Sequence, residues 1–268
     1  MIVDFHTHTF PDAIAQRSIF HLSEAGHVLP HRLGTLDSLK ESMRSCGIDY
    51  SVVLPVATSP KQEQKINRVS AALNGKDHLF FAGAIHPDCP DVPALLDFIK
   101  ESGLFGIKLH PDYQGVYFDD PRYLRIMQEA AKRDLYILTH AGKDVAYMHD
   151  VHCTPDMILS VLDQLKGLIE GKLILAHLGG FALEQEVLEK LCGKPVWMDT
   201  AAVIHMRPAL CRQIIEKHGT DKILFGSDSP WENQRDFADR LIGFGFSEEA
   251  TQDMLWRNAA KILGANLL

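Results

Sequence analysis

The strongest constraint on this chain is its rhythm. Eight short runs of β-branched, aromatic and aliphatic residues recur along it: Ile2–Phe5, Tyr50–Val56, Leu79–Ile85, Leu104–Leu109, Leu135–Thr139, Lys172–Ala176, Val196–Asp199 and Lys222–Gly226. Longer stretches of helical periodicity separate them. The runs are apolar on both faces, as a parallel strand covered on both sides must be. Parallel neighbours need crossover connections, and helices supply them with a right-handed turn. Eight such repeats in 268 residues predict an α/β fold, a parallel eight-stranded (β/α)8 TIM barrel, which typically takes roughly 250 residues. No G-x-G-x-x-G or G-x-x-x-x-G-K-[ST] follows a run, so a doubly wound nucleotide-binding sheet is disfavoured. A single domain spanning residues 1–268 is expected.

Punctuation supports the helices. Ser59-Pro60, Asp120-Pro121, Thr154-Pro155 and Ser229-Pro230 each read as an N-cap followed by proline in the first turn. Gly47, Gly75 and Gly171 stand where helices should end. Residues 10–45 depart from strict alternation and predict a helical insertion after the first strand, two segments joined around His27–Gly34. An extra C-terminal helix is expected from Ser247 to about Leu263, with Glu248 and Glu249 in its first turn.

In a barrel of this kind the site forms at the C-terminal ends of the strands, so the residues closing each run matter most. The first run closes in His6-Thr7-His8, the third in His86, the fourth in Lys108 and His110, the fifth in His140, the sixth in His177 and the eighth in Asp228. Residues two apart on a strand point the same way, so His6 and His8 can reach one ion. Each residue alone has a plainer reading, a satisfied core histidine or, for Asp228, a cap for a helix starting at Pro230. Ligand-type side chains on one rim are hard to explain that way.

The motifs Asp4-Phe5-His6-Thr7-His8, Gly106-Ile107-Lys108-Leu109-His110-Pro111, Thr139-His140-Ala141-Gly142, Ala176-His177-Leu178-Gly179-Gly180 and Phe225-Gly226-Ser227-Asp228-Ser229-Pro230-Trp231 resemble the amidohydrolase superfamily. The likeness is to its amidohydrolase-related branch, which includes aminocarboxymuconate semialdehyde decarboxylase. The resemblance implies that His6, His8, His140 and Asp228 hold a divalent metal. Zn²⁺ is the expected ion, one or two per chain, with Mn²⁺ or Fe²⁺ as alternatives. His177 would be a second-metal ligand or an acid/base beside a single ion, and Asp228 and His177 the catalytic pair. Lys108 stands where one subgroup has a carboxylated lysine bridging two metals. Carboxylated, it would join His140 and His177 around a second ion; as a free ammonium it would pair with a substrate carboxylate or with Asp228. Lys108, His110, His86, Tyr113 and Trp231 are the candidate substrate-binding residues, and Arg207 is the best anion binder on the later loops.

The implied reaction is hydrolysis of a small-molecule amide, lactone or ester by a metal-activated water. Non-oxidative decarboxylation of a small carboxylic acid is the alternative, since it uses the same ligands. A TatD-like nuclease is disfavoured because Lys108 replaces an acidic residue. The net charge of −8 also counts against phosphate-backbone binding, and no basic run exceeds a dipeptide. The expected partner is a small molecule, with no nucleic acid and no membrane; homodimers are common among similar proteins. The five cysteines form no C-x-x-C pair, and Met1 leads directly into the first run with no leader-like segment. Both point to the cytoplasm.

Overall fold

The computed structural model describes residues 1–264 and 267. Its strands are β1 (Val3–Thr7), β2 (Tyr50–Val53), β3 (Leu79–Phe81), β4 (Gly83–Ala84), β5 (Gly106–Leu109), β6 (Tyr136–Thr139), β7 (Leu173–Leu175), β8 (Trp197–Asp199) and β9 (Ile223–Leu224). All pairings between them are parallel, β1-β2-β3 in one run and β4 through β9 in sequence order in the other. β3 and β4 are halves of one barrel strand interrupted at Ala82, whose N–H donates to the Val53 carbonyl. The eight runs expected from sequence are therefore all strands. First and last meet as well: Phe5 N–H donates to the Phe225 carbonyl, Asp228 N–H to that of His6, and His8 N–H to that of Ser229.

Side-chain alternation divides the core into two layers. Val3, Phe5, Val52, Leu54, Phe80, Leu138, Ile174 and Leu224 fill the barrel, joined at one end by Ala259, Ile262 and Leu263. Val53, Phe81, Ile107, Leu109, Ile137, Leu173, Leu175, Met198 and Ile223 face outward to the helices. This two-sided burial is why the runs read as continuously apolar.

The helices are α1 (Asp12–Gly26), α2 (Leu36–Cys46), α3 (Glu63–Leu73), α4 (Val92–Glu101), α5 (Pro111–Gln114), α6 (Pro121–Lys132), α7 (Pro155–Gln164), α8 (Glu184–Lys190), α9 (Pro208–His218), α10 (Gln234–Gly243), α11 (Glu248–Gln252) and α12 (Asn258–Leu263). Asp120 and Thr154 cap α6 and α7 through their side chains, while Ser59 caps a 3₁₀ turn leading into α3. Gly47 ends α2 in the left-handed region, and Gly75 follows the Asn74 that ends α3. The insertion after β1 is α1 plus α2, and the C-terminal helix is α11 and α12 joined by a π-helical turn over Asp253–Arg257.

Two expectations fail. Ser229-Pro230 is a cis peptide and starts no helix; α10 begins four residues later, capped by Asn233. Asp228 is thereby freed from the capping role that its sequence context suggested. Gly171 does not end a helix, because α7 stops at Gln164; it supplies a positive φ of 74° to the turn before β7. Among the described residues no helix is long and apolar enough to cross a membrane.

Candidate active site

The site begins with an irregularity in β1. Asp4 pairs with Ser51 and Thr7 with Val53, so three steps on β1 match two on β2. Such a bulge re-aims side chains. Before it, Val3 and Phe5 face the barrel and Asp4 faces outward; after it, His6 and His8 face the mouth and Thr7 takes the outward position, its hydroxyl donating to the Val52 carbonyl. Outward Asp4 accepts from the N–H groups of His6 and Ser227, from the Ser227 hydroxyl and from the Gln234 amide, which ties β1 to the segment carrying Asp228. Gly226 permits the approach, since a Cβ there would lie 2.8 Å from the His6 Cβ.

The mouth histidines have defined tautomers. His6 Nδ1–H donates to Asp199 Oδ2 at 2.7 Å, His8 Nδ1–H to the Leu54 carbonyl at 2.8 Å, and His177 Nδ1–H to the Ala201 carbonyl at 3.2 Å. A carbonyl can only accept, so His8 and His177 carry their protons on Nδ1 and present bare Nε2 atoms. His6 does the same against ionised Asp199. The Nε2 atoms of His6 and His8 lie 3.1 Å apart, and Asp228 Oδ1 is 3.5 Å from the first and 3.3 Å from the second. Three lone-pair donors thus converge with no proton between them. Tetrahedral zinc sites place nitrogen and oxygen ligands at roughly 2.0–2.2 Å from the ion, which brings donor atoms to this kind of spacing. The donor set fits a divalent cation.

Electrostatics agree. Burial lowers the pKa of His6 to about 4, with Asp199 pulling the other way and Lys108 adding to the fall. Burial would raise Asp228, but the imidazoles of His8, His6 and His177 around it hold it far below the usual carboxylate range. Asp199 stays ionised for the same kind of reason: burial alone would raise it, and His6 and His177 keep it low. Asp228 and His177 both have positive φ, 71° and 57°. Non-glycine residues in that region are strained, and such strain collects at functional sites.

The other side of the mouth is built differently. His140 Nδ1–H donates to His177 Nε2 at 3.0 Å, which leaves its own Nε2 bare. That Nε2 is buried without a partner, 3.9 Å from Asp112 Oδ2, itself buried and unpaired. His110 stacks on His140 with ring centroids 4.5 Å apart; its Nδ1 is unpartnered and its Nε2 lies 3.6 Å from Asp144. Lys108 is 1% exposed; burial lowers its pKa to about 8, against the fields of Asp199 and Asp228, and among the described residues its ammonium donates no hydrogen bond that offsets the loss.

The four mouth histidines His6, His8, His140 and His177, with Lys108, His110, Asp144 and Asp228, open into one cavity of about 1450 Å³. Its lining includes His6, His8, Lys108, His110, Tyr113, His140, His177, Asp228 and Trp231, as the sequence led us to expect. His86 does not line it: its Nδ1 turns back to accept from the Asp88 N–H. Arg207 is paired with Glu184 and also lies outside it.

The sequence profile of the family described as Amidohydrolase matches residues 3–265. The chain belongs to the amidohydrolase family. No curated protein matches it in sequence. Among solved structures it is similar to a 2,6-dihydroxybenzoate decarboxylase from Rhizobium (18% identity, 98% of each chain covered, TM-score 0.72). It is also similar to a dihydroxybenzoic acid decarboxylase from Polaromonas sp. JS666 with bound manganese (17% identity, 100% of this chain and 98% of that one, TM-score 0.71). A third is described as a probable 2-pyrone-4,6-dicarboxylic acid hydrolase from Acinetobacter baumannii (16% identity, 98% and 99%, TM-score 0.68). These likenesses are of fold, and the barrel is the amidohydrolase one.

Sequence reading of this family member missed Asp199, Asp144 and the carbonyls of Leu54 and Ala201. Asp199 had a signal, since it closes the run Val196–Asp199 at the same rim. The carbonyls had none, because every residue carries one.

Proposed function

We propose that this amidohydrolase-family chain is a divalent-metal hydrolase of a small-molecule ester, lactone or amide. His6, His8 and Asp228 hold the ion, and His140 or His177 completes the set. One observation carries the reading: two bare imidazole nitrogens 3.1 Å apart face a carboxylate that stays ionised. Zn²⁺ suits these nitrogen and oxygen donors, and Mn²⁺ is named with the Polaromonas structure. A bound divalent ion supplies Lewis acidity, polarising a substrate oxygen and making water more acidic.

The chain's own residues do the rest. Asp228, ionised and 3.3 Å from His8, accepts the attacking water's proton on a carboxylate oxygen. His177 faces the mouth through a bare Nε2, so it takes up there the proton that Asp228 received from the water and passes it on to the leaving group. Asp199 and the Leu54 carbonyl keep both β1 histidines in the ligating tautomer. Lys108 contributes a buried positive charge that suits a carboxylate on the substrate.

That same Lys108 favours a second reading, non-oxidative decarboxylation of a small acid, for which the Rhizobium and Polaromonas proteins are the structural parallels. Metal analysis of the purified chain, followed by assay of a lactone, ester and amide panel against an aromatic-acid panel, separates the two. We expect bound divalent metal and acid release from the first panel, lowered roughly 10³-fold by Asp228→Asn. Carbon dioxide from the second panel, with nothing from the first, would replace hydrolysis by decarboxylation. A metal-free chain inert on both would end both readings.

A further inference from the structure

The cavity is larger than a one-ring substrate needs. Pockets for drug-sized ligands run to roughly 300–1,000 Å³, and this one holds about 1450 Å³. The His and Asp cluster occupies only one end. From there the space leaves the barrel mouth and continues beneath α1, along α3 and past α2, lined by Leu22, Leu36, Ile66 and Leu73. This extension is apolar, with Arg17, Lys61 and Lys65 among the charged residues bordering the cavity.

The helix above it is poorly anchored. α1 spans fifteen residues yet buries only Ala15, Ile19 and Gly26. A helix of that length is ordinarily held by a broad apolar stripe. Its apolar side chains and those opposite instead stand open around the cavity: Ile14 is 42% exposed, Leu29 89%, Val69 of α3 47% and Val145 39%, and all four border it. Apolar surface converging from several segments on a space continuous with the reaction centre is built to be covered by what binds there.

We infer that the substrate is an amphiphile, with a polar head at the His6, His8 and Asp228 cluster and an apolar tail of several carbons lying between α1 and α3. The head assignment rests on the metal-hydrolase reading; the tail site rests on the cavity alone. Tail binding would bury Ile14, Leu29 and Val69 and complete the packing of α1.

The test is equilibrium binding of the metal-loaded protein to 4-methyl-, 4-butyl- and 4-octylbenzoate by calorimetry. The dissociation constant should fall about threefold for each methylene that enters the extension. Leu29→Glu and Val69→Glu, at exposed positions that tolerate charge, should flatten that series while leaving the thermal unfolding midpoint in place. A flat series in the unaltered protein would overturn the inference, as would a steep series that survives both substitutions. A dimer broken by Leu29→Glu, with the series unchanged, would assign the apolar surface to a second copy and also overturn it. Binding is read without turnover, so a steep series in an inert protein sinks only the hydrolase reading. Turnover with a flat series sinks only the tail site.

Discussion

The two walls of the barrel mouth are finished to different degrees. On the wall formed by β1, β8 and the segments after β7 and β9, the histidines and carboxylates are paired on the side away from the cavity, although Gln234 Oε1 behind Asp4 is buried without a partner. His6 leans on Asp199, His8 on the Leu54 carbonyl, His177 on the Ala201 carbonyl, and Asp4 takes four donors. On the wall formed by β5, β6 and the loops after them, His110 Nδ1, His140 Nε2 and Asp112 Oδ2 are buried without partners. Buried polar groups are ordinarily paired because leaving one unmade costs on the order of 1–3 kcal/mol. The first wall therefore holds its groups in one geometry before anything binds, as a ligand set for a cation requires. The second wall carries stored cost, and that cost falls when an incoming group makes the missing bonds.

Acid titration should expose the difference most strongly. Burial lowers the pKa of His110 well below its usual value, and the neighbouring His140 and Lys108 lower it further. The nearest carboxylates, Asp144 and Asp112, stand 3.6 and 4.0 Å from His110 and make no hydrogen bond to it, whereas Asp199 bonds His6 at 2.7 Å and His6 is lowered to about 4. A histidine whose folded pKa is depressed takes up its proton in the unfolded state first. Stability is then lost as pH falls from about 6.5 toward the folded value and is retained above that window. The metal-free protein should lose several kcal/mol between pH 7 and 4.5. His110→Phe, which keeps a ring against His140, should recover part of that loss, at most about 2.5 kcal/mol. Urea unfolding at both pH values measures it, and an equal loss in both proteins would show that the second wall carries no such cost.

The contrast also explains what the sequence disclosed. The barrel was legible because two-sided burial writes each strand as an apolar run. The ligand histidines were legible because this fold places strand ends on one rim. The bulge in β1 was not legible, although without it His6 would follow Asp4 to the outer face. Neither was the role of Ser229-Pro230, where proline chemistry reads the same before a helix and within a loop. His86 was misplaced because closing a strand does not fix which way a ring turns, and the Asp88 N–H captured it. The first wall's supports are mostly backbone carbonyls, invisible in composition. The second wall's lack of partners is a property of distances alone.

Asp199→Asn sharpens the comparison from the finished side. The amide retains an oxygen for the N–H groups of His177 and Ala201, both now bonded to Oδ1. It would turn an NH₂ toward His6 Nδ1, forcing the imidazole into the other tautomer with its proton on Nε2, where the ion should sit. Partners of this kind are worth roughly 10–100-fold in metal affinity. Titration of the apo-protein with Zn²⁺ should show a weakening in that range with little change in fold. Unchanged affinity would mean that His6 does not ligate through Nε2.

The smallest effect should come from paired carboxamides, Asp4→Asn and Asp112→Asn. Asp4 receives two donors on each oxygen, so an NH₂ on either position faces hydrogens it cannot accept. That should cost about 2 kcal/mol. Asp112 differs: Oδ1 accepts from His152 Nδ1 at 2.9 Å, and Oδ2 has no donor at all. Asparagine can keep the first bond and direct its NH₂ toward bare His140 Nε2, 3.9 Å from the present Oδ2. The substitution removes a buried charge without stranding a donor, so stability should stay within about 1 kcal/mol of the original or rise. Chemical unfolding of the two variants in parallel checks the difference directly. If Asp112→Asn proved the more damaging of the two, the second wall would already be satisfied, and the distinction between the walls would fail.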